Sequence, residues 1–253
     1  MKKMLALTVA AAMAVGLTAC SGSSAGTETE AATEAATQEE AASSEDSAAA
    51  DGETYTVGIC QLVQHDALDA ATQGFMDAIT DALGEDAVTF DLQNAQGDSN
   101  TCSTIINSFV SNDVDLILAN ATAALQAAQA GTNEIPILGT SVTEYGVALG
   151  IDDFGGTVGG NISGTSDLAP LDEQAAMLNE LFPDAKNVGL LYCSAEANSQ
   201  YQVDTVKAAL EELGYTCEYY AFSDSNDLAT IATNAAISNP QKASSATLFS
   251  CSL

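Results

Sequence analysis

Apolar positions along this chain fall into a repeating two-part pattern from residue 54 onward: a short apolar run, then apolar residues at helical spacing. Residues 55–59, Tyr-Thr-Val-Gly-Ile, read as a buried strand. Over 67–83, Leu68, Ala71, Phe75, Ile79 and Leu83 recur on one helical face, which Gly84 stops. The spacing then predicts a strand over 88–92 and a helix over 100–110 that buries Ile105, Ile106, Phe109 and Val110. A strand over 116–119, an alanine-rich helix over 121–130 and short strands over 135–138 and 147–151 follow. After a passage rich in turn residues, 152–170, the alternation resumes with helix 172–181, strand 187–192, helix 200–213 and strand 216–222. Strands separated by helices of this length imply βαβ units and parallel sheets, an α/β fold. Ligands bind such sheets at the carboxyl ends of their strands, so the loops after each strand are where function is expected. The turn-rich passage marks a change of lobe, giving a first lobe over 54–160 and a second from 161 to 234.

The chain before residue 54 has a different character. Met1-Lys2-Lys3 precedes an apolar run over 4–16, too short to span a bilayer, which ends in Leu17-Thr18-Ala19-Cys20. A positive start, a short apolar stretch and small residues before a cut describe a secretory signal over 1–19. Its last four residues resemble the lipobox of bacterial lipoproteins. That resemblance implies that Cys20 becomes a mature N-terminus carrying a diacylglycerol, whose two acyl chains anchor stably to a membrane. Beyond it, residues 21–53 are Ala, Ser, Thr, Gly, Gln and acids, with a lone Gly-Glu pair at the end and nothing to repay the entropy of ordering. Residues 20–53 read as an acidic tether with ends roughly 30 Å apart, stretched further by charge repulsion.

Charge narrows the function classes. Thirty-five acids face five basic residues, all lysines, for a formal net charge of −30. A polyanion without arginine does not dock on phosphate backbones, so nucleic-acid binding is excluded. Catalytic signatures are sparse: His65 is the only imidazole, and no nucleophile elbow, phosphate loop or zinc-protease motif occurs. The 155–160 stretch, Gly-Gly-Thr-Val-Gly-Gly, does not match a dinucleotide loop and reads as a connecting segment. Nothing calls for a metal or cofactor. Beyond Cys20 stand Cys60, Cys102, Cys193, Cys217 and Cys251 with no C-x-x-C spacing. Cys60 and Cys102 both fall at the carboxyl edge of the first sheet, where buried free thiols are the default and a disulfide also fits.

Several spaced words carry a more specific signal. Residues 57–65, Val-Gly-Ile-Cys-Gln-Leu-Val-Gln-His, are followed by 67–69, Ala-Leu-Asp, and by Gly74-Phe75. Later come 161–167, Asn-Ile-Ser-Gly-Thr-Ser-Asp, then 181–183, Leu-Phe-Pro, 188–192, Val-Gly-Leu-Leu-Tyr, and 196–199, Glu-Ala-Asn-Ser. In this order they resemble a family of ABC-transporter substrate-binding lipoproteins that includes tryptophan- and tyrosine-binding proteins, with the two-lobed periplasmic-binding-protein type I fold. The resemblance covers roughly residues 54–234. It implies two α/β lobes closing on a small ligand, which is delivered to a membrane permease on the extracytoplasmic face. Carried over residue by residue, it implies Gln61 and His65 after the first strand, Thr122 after the third and Ser141 after the fourth. Ser166 and Asp167 then open the second lobe, and Glu196, Asn198 and Ser199 follow that lobe's first strand. Without arginine, a ligand carboxylate must be held by hydroxyls and free helix-start N–H groups, as at Thr122 and Ser199. An ammonium calls for a carboxylate such as Asp167 or Glu196. Asn198 and Ser199 equally suit a helix cap, Asp167 a turn and His65 a surface loop. Where the family often carries an Asp-Pro pair after the fourth strand, this chain has Thr143-Glu144-Tyr145. The ligand implied is an amino acid, aromatic by the family's example. A sugar, a nucleobase, or a sensing role at a membrane receptor shares the same sequence features.

The final stretch, 235–253, shows neither strand alternation nor a helical apolar face. It reads as an aberrant tail that leaves the fold incomplete at its C-terminus.

Overall fold

The computed structural model describes residues 53–237 and 245–250. The signal, Cys20, nearly all of the tether, Lys242 and Cys251 lie outside the described residues. Five parallel strands form the first sheet: β1 (Tyr55–Gln61), β2 (Val88–Asn94), β3 (Leu116–Asn120), β4 (Ile137–Val142) and β5 (Ile162–Ser166), in the order β2-β1-β3-β4-β5. Between them run α1 (Asp66–Leu83), α2 (Ser99–Ser111), α3 (Thr122–Gly131) and the short α4 (Tyr145–Leu149). Strand periodicity sorts the two faces of β1. Val57 and Ile59 pack with Leu118 against Phe75 and Met76 of α1. Gly58 and Cys60 point the other way, toward Ile106 and Phe109 of α2. A Cβ on Gly58 would stand 2.7 Å from the Phe109 ring, so glycine is what lets α2 lie directly on the sheet.

The second sheet holds β6 (Asn187–Cys193), β7 (Thr216–Phe222) and β8 (Ser245–Ser250), parallel, in the order β7-β6-β8. α5 (Leu171–Leu181) and α6 (Ala197–Glu212) cover one face through Leu178, Val203, Val206 and Leu210 against Val188, Leu190 and Tyr192. α7 (Ser225–Ile237) covers the other through Ile231 and Ala232 against Leu191 and Phe222.

Three features depart from the pattern read along the sequence. The apolar run 147–151 is not a strand. Glu144 accepts the Val147 N–H at 2.6 Å and Gly150 closes the turn with φ 65°, so a capped helix, α4, forms there instead. Residues 162–166 belong to the first sheet, as β5, so the passage between sheets falls after Ser166 and not at residue 160. β5 is mostly exposed and made of Ile-Ser-Gly-Thr-Ser, which gives no apolar alternation to read. What seats it is backbone pairing plus Tyr145, whose hydroxyl lies against Gly139 and Gly164, a directly paired couple, and donates to the Thr165 carbonyl at 3.2 Å. Finally, the supposed tail contributes the end of α7 and the whole of β8, paired with β6 from Asn187↔Ser245 to Tyr192↔Ser250. Six residues, Ser-Ala-Thr-Leu-Phe-Ser, are too few and too polar to announce a strand. An edge already laid down by β6 supplies the pattern they lack.

Candidate functional site

The order of the first sheet reverses between β1 and β3: the chain leaves β1 toward β2 on one side and β3 toward β4 on the other. The carboxyl ends of these two strands therefore diverge into a crevice, the usual ligand position in such sheets. Leu62 follows β1 there, Thr122 begins α3 and Ser99 begins α2. From the second sheet, Glu196 and Asn198 at the start of α6 meet them across a cavity of about 110 Å³.

The two sides of this crevice carry opposite polarity. α3 begins without a side-chain cap, because Ala121 stands in that position. Ala121 is held at φ 90° and ψ 159°, a backbone region that is normally glycine's, and it is fully buried. Strain of this kind, of order 1–3 kcal/mol, persists where surrounding structure enforces it, commonly at ligand sites. The first α3 amides have no intrahelical acceptor and form the positive end of the helix dipole. Beside them the Thr122 hydroxyl, on a residue 5% exposed, has no hydrogen-bond partner. Opposite, Glu196 occupies the N-cap of α6 but makes no cap bond. Its carboxylate instead accepts from the Ser199 hydroxyl at 3.1 Å. Burial pushes the Glu196 carboxyl above the ordinary carboxylate range, against the smaller opposing effect of the Ser199 bond. Asn198 and Ser199 are both buried.

Of the residues singled out from sequence, Thr122, Glu196 and Asn198 meet at this crevice, with Ser199 behind Glu196. The others do not. His65 is exposed and caps α1, its Nδ1 accepting the Ala67 N–H at 3.3 Å. Gln61 is turned inward: its Nε2 donates to Val63 O at 2.9 Å and to Asp69 Oδ1 at 2.5 Å, while its Oε1 accepts from Thr72 at 2.7 Å. Thr72 in turn accepts from Asn120 Nδ2 at 2.9 Å, so a polar network ties α1 to β1 and β3, with Asn120 Oδ1 left unpartnered. Thr72→Val is expected to strand Gln61 Oε1 in the interior and to leave Asn120 Nδ2 only its bond to Leu68 O, at a cost of about 1–3 kcal/mol. A urea titration reads this as a lowered midpoint with an unchanged slope.

Ser141 sits at φ 54° on the irregular end of β4. Ser166 donates to Thr143 O at 3.0 Å. Asp167 is exposed and attached to β4 only through its own N–H to Val142 O. Ser166 lines a second, larger cavity of about 520 Å³, with Tyr145, Phe154, Thr157, Val158 and Ile162. Size favours that cavity, but chemistry does not. It has no charged lining residue, and the Tyr145 and Ser166 hydroxyls already have acceptors.

Sequence reading missed Ser99 and Gln126. Gln126 lies one turn beyond Thr122 on the same face of α3 and donates to Ala148 O at 3.0 Å, joining α3 to α4. Helical spacing from Thr122 would have pointed to it. Among the described residues no cluster of ligating side chains could hold a metal ion, and no helix is long and apolar enough to cross a membrane.

Comparison with known proteins bears on this geometry. A tyrosine-binding protein of Clostridioides difficile (strain R20291) is 38% identical over 174 residues, 68% of this chain and 50% of the relative. A Streptococcus ABC domain solved in complex with L-Trp superposes with a TM-score of 0.69 at 29% identity, covering 78% of this chain and 65% of that one. The ligand-free, open form of a substrate-binding protein with adhesive properties from Clostridium difficile gives 0.52 at 36% identity, over 72% of this chain and 62% of that one. The chain thus spans half the length of the curated relative it matches. A leucine-binding protein from Thermotoga maritima, at 14% identity and a TM-score of 0.57, shares the fold alone. The family model for ABC transporter substrate-binding proteins matches residues 56–246, ending just inside β8, and the chain belongs to that family.

Proposed function

We propose that this chain is the ligand-receiving part of an ABC importer and binds a free amino acid, aromatic by preference, in the crevice between its two sheets. The observation that carries this reading is the pairing of an uncapped helix start and an unpartnered Thr122 hydroxyl with a half-buried Glu196 carboxylate across one cleft. A zwitterion matches both ends. Its carboxylate takes the α3 amides and the Thr122 hydroxyl, and its ammonium takes Glu196. The tyrosine-binding relative and the tryptophan complex support an aromatic side chain. At about 110 Å³ the cavity falls short of the roughly 300–1,000 Å³ typical of small-molecule pockets. Entry therefore requires the lobes to part, and capture requires them to close. The protein binds and releases without chemistry, and hands its ligand to permease subunits in the membrane. In this reading Cys20 is lipidated and holds the domain on the extracytoplasmic face.

Titration calorimetry with tyrosine, tryptophan, phenylalanine, leucine and a sugar, repeated across pH, tests the proposal. Heat is expected from the aromatic amino acids and not from the sugar. The ammonium needs Glu196 ionised, and burial holds that carboxyl above the usual range. Affinity should therefore fall as pH descends through the region just above ordinary carboxylate values, and Glu196→Gln should bind weakly without that dependence. Stability of the unliganded chain runs the other way. A raised carboxyl favours the folded state at low pH, and that contribution is withdrawn as pH rises through the folded-state value. Binding of the sugar alone, or equal affinity in Glu196→Gln, would overturn the assignment.

A further inference from the structure

Two thiols lie just beneath the crevice and take no part in its chemistry. Cys60 is the penultimate residue of β1 and Cys102 lies in the first turn of α2, and both are fully buried in one cluster. Their proximity follows from the packing of α2 on β1. Phe109 sits on Gly58, and Cys60 is on the same strand face two residues further along. Cys102 is seven residues, two helical turns, before Phe109 and so on the same helix face. α2 returns antiparallel to the strands it connects. Two residues up the strand, about 7 Å, and seven back along the helix, about 10 Å, therefore lead to one place, the carboxyl edge. Each thiol there acts on the other: Cys102 and burial push Cys60 up, while Cys60 and the backbone amide at the start of α2 hold Cys102 down. Cys193 and Cys217 stand on different strands of the other sheet, Cys193 paired with Phe222 and Cys217 with Val188, so they are not opposed.

We infer that Cys60 and Cys102 are a disulfide site that fastens the start of α2 to β1 directly under the binding crevice. Both are free thiols in the structure, which is the reduced member of the couple. Oxidation is thiol–disulfide exchange with a low-molecular-weight or protein disulfide. The Cys102 thiolate attacks one sulfur of that disulfide, and its other half leaves as a thiol. Cys60 gives its proton to solvent and attacks Cys102 in the mixed disulfide, releasing the second half. Two protein thiols are oxidised and one external disulfide is reduced to two thiols. Because both sulfurs are inaccessible once α2 has docked, exchange takes place as the chain folds. The bond closes the loop containing α1, β2 and the α2 start, and it fixes Ser99, less than one turn from Cys102, at the crevice wall.

The full chain is produced once in a reducing cytoplasm and once in an oxidising compartment, and each product is digested at acidic residues without reduction and mapped by mass. The oxidised product is expected to yield the Cys60 and Cys102 peptides joined, lighter by two hydrogens than their sum. It should melt roughly 10 °C above the reduced product. In Cys102→Ala the Cys60 thiol should react with a maleimide only on unfolding, and the difference between the two compartments should vanish. Free thiols at both positions in the oxidised product, or joining of either to Cys20, Cys193, Cys217 or Cys251, would overturn the inference. Because the readout is covalent and needs no ligand, it fails or succeeds separately from the proposed function.

Discussion

Thr122→Asp is expected to abolish amino-acid binding while leaving the fold intact. Thr122 is the first residue of α3, where an acidic side chain is favoured by the helix dipole, so the helix itself gains from the change. The ligand loses on two counts. Its carboxylate forfeits the hydroxyl that has no other partner, and it meets a second carboxylate where the free α3 amides gather. A charge-assisted hydrogen bond contributes about 1.5–3 kcal/mol, and like-charge repulsion in a partly closed cleft adds to it. At 1.4 kcal/mol per tenfold, a loss of at least a hundredfold in affinity is expected by calorimetry. Thr122→Ser, which keeps the hydroxyl, should bind within a few-fold of the parent. A melting temperature within a few degrees of the parent separates lost binding from lost structure. If Thr122→Asp bound aromatic amino acids normally, the carboxylate would have to sit elsewhere and the crevice assignment would fall.

Gly164→Ala carries the largest expected effect on stability. A methyl group on Gly164 would meet the backbone carbonyl and amide of Gly139 in the neighbouring strand and the Tyr145 hydroxyl, all closer than a carbon atom can approach. A flexible side chain could turn aside, but a paired backbone cannot. Either β5 leaves β4 or Tyr145 leaves its buried slot, and the expected cost is about 3 kcal/mol or more. For a domain of this size that lowers the melting temperature by roughly 6–12 °C. Gly155→Ala, where a new Cβ meets nothing within 4 Å, is the matched control and should melt with the parent. Equal melting of the two variants would show that the β4–β5 pairing is not held by this close approach.

The sequence was legible where burial imposes a period. Val57 and Ile59 alternate, Leu68 and Phe75 recur on one helical face, and residues 216–222 form β7 as read. It was illegible where backbone pairing or a cap decides. β5 has a glycine, a threonine and two serines in five residues, and its strand character comes from β4. The 147–151 run is apolar enough for a strand, but Glu144 and Gly150 enclose a single turn of helix. β8 had no pattern of its own until β6 supplied an edge. The site divided in the same way. Thr122, Glu196 and Asn198 follow strands whose carboxyl ends meet, so position after a strand was enough to find them. His65 follows β1 and Gln61 ends it, but each is satisfied locally, one by an amide of its own helix and the other by Asp69 and Thr72. No spacing rule could have told a residue that faces the cleft from one bound inward beside it.

The lack of arginine shapes how a ligand arrives as well as how it is held. With a formal charge of −30, the chain surrounds its cleft with a field that repels anions. The positive end of α3 reverses that field only at short range, within about the 8 Å over which salt screens exposed charges. On the proposed reading, an acidic amino acid, which carries net negative charge, is repelled as it nears the amides that would hold its carboxylate. A neutral zwitterion would meet no such barrier and would only be rotated, ammonium toward Glu196 and carboxylate toward Thr122. Selection between acidic and neutral amino acids would then be shared by the whole surface and not made by the cleft side chains alone.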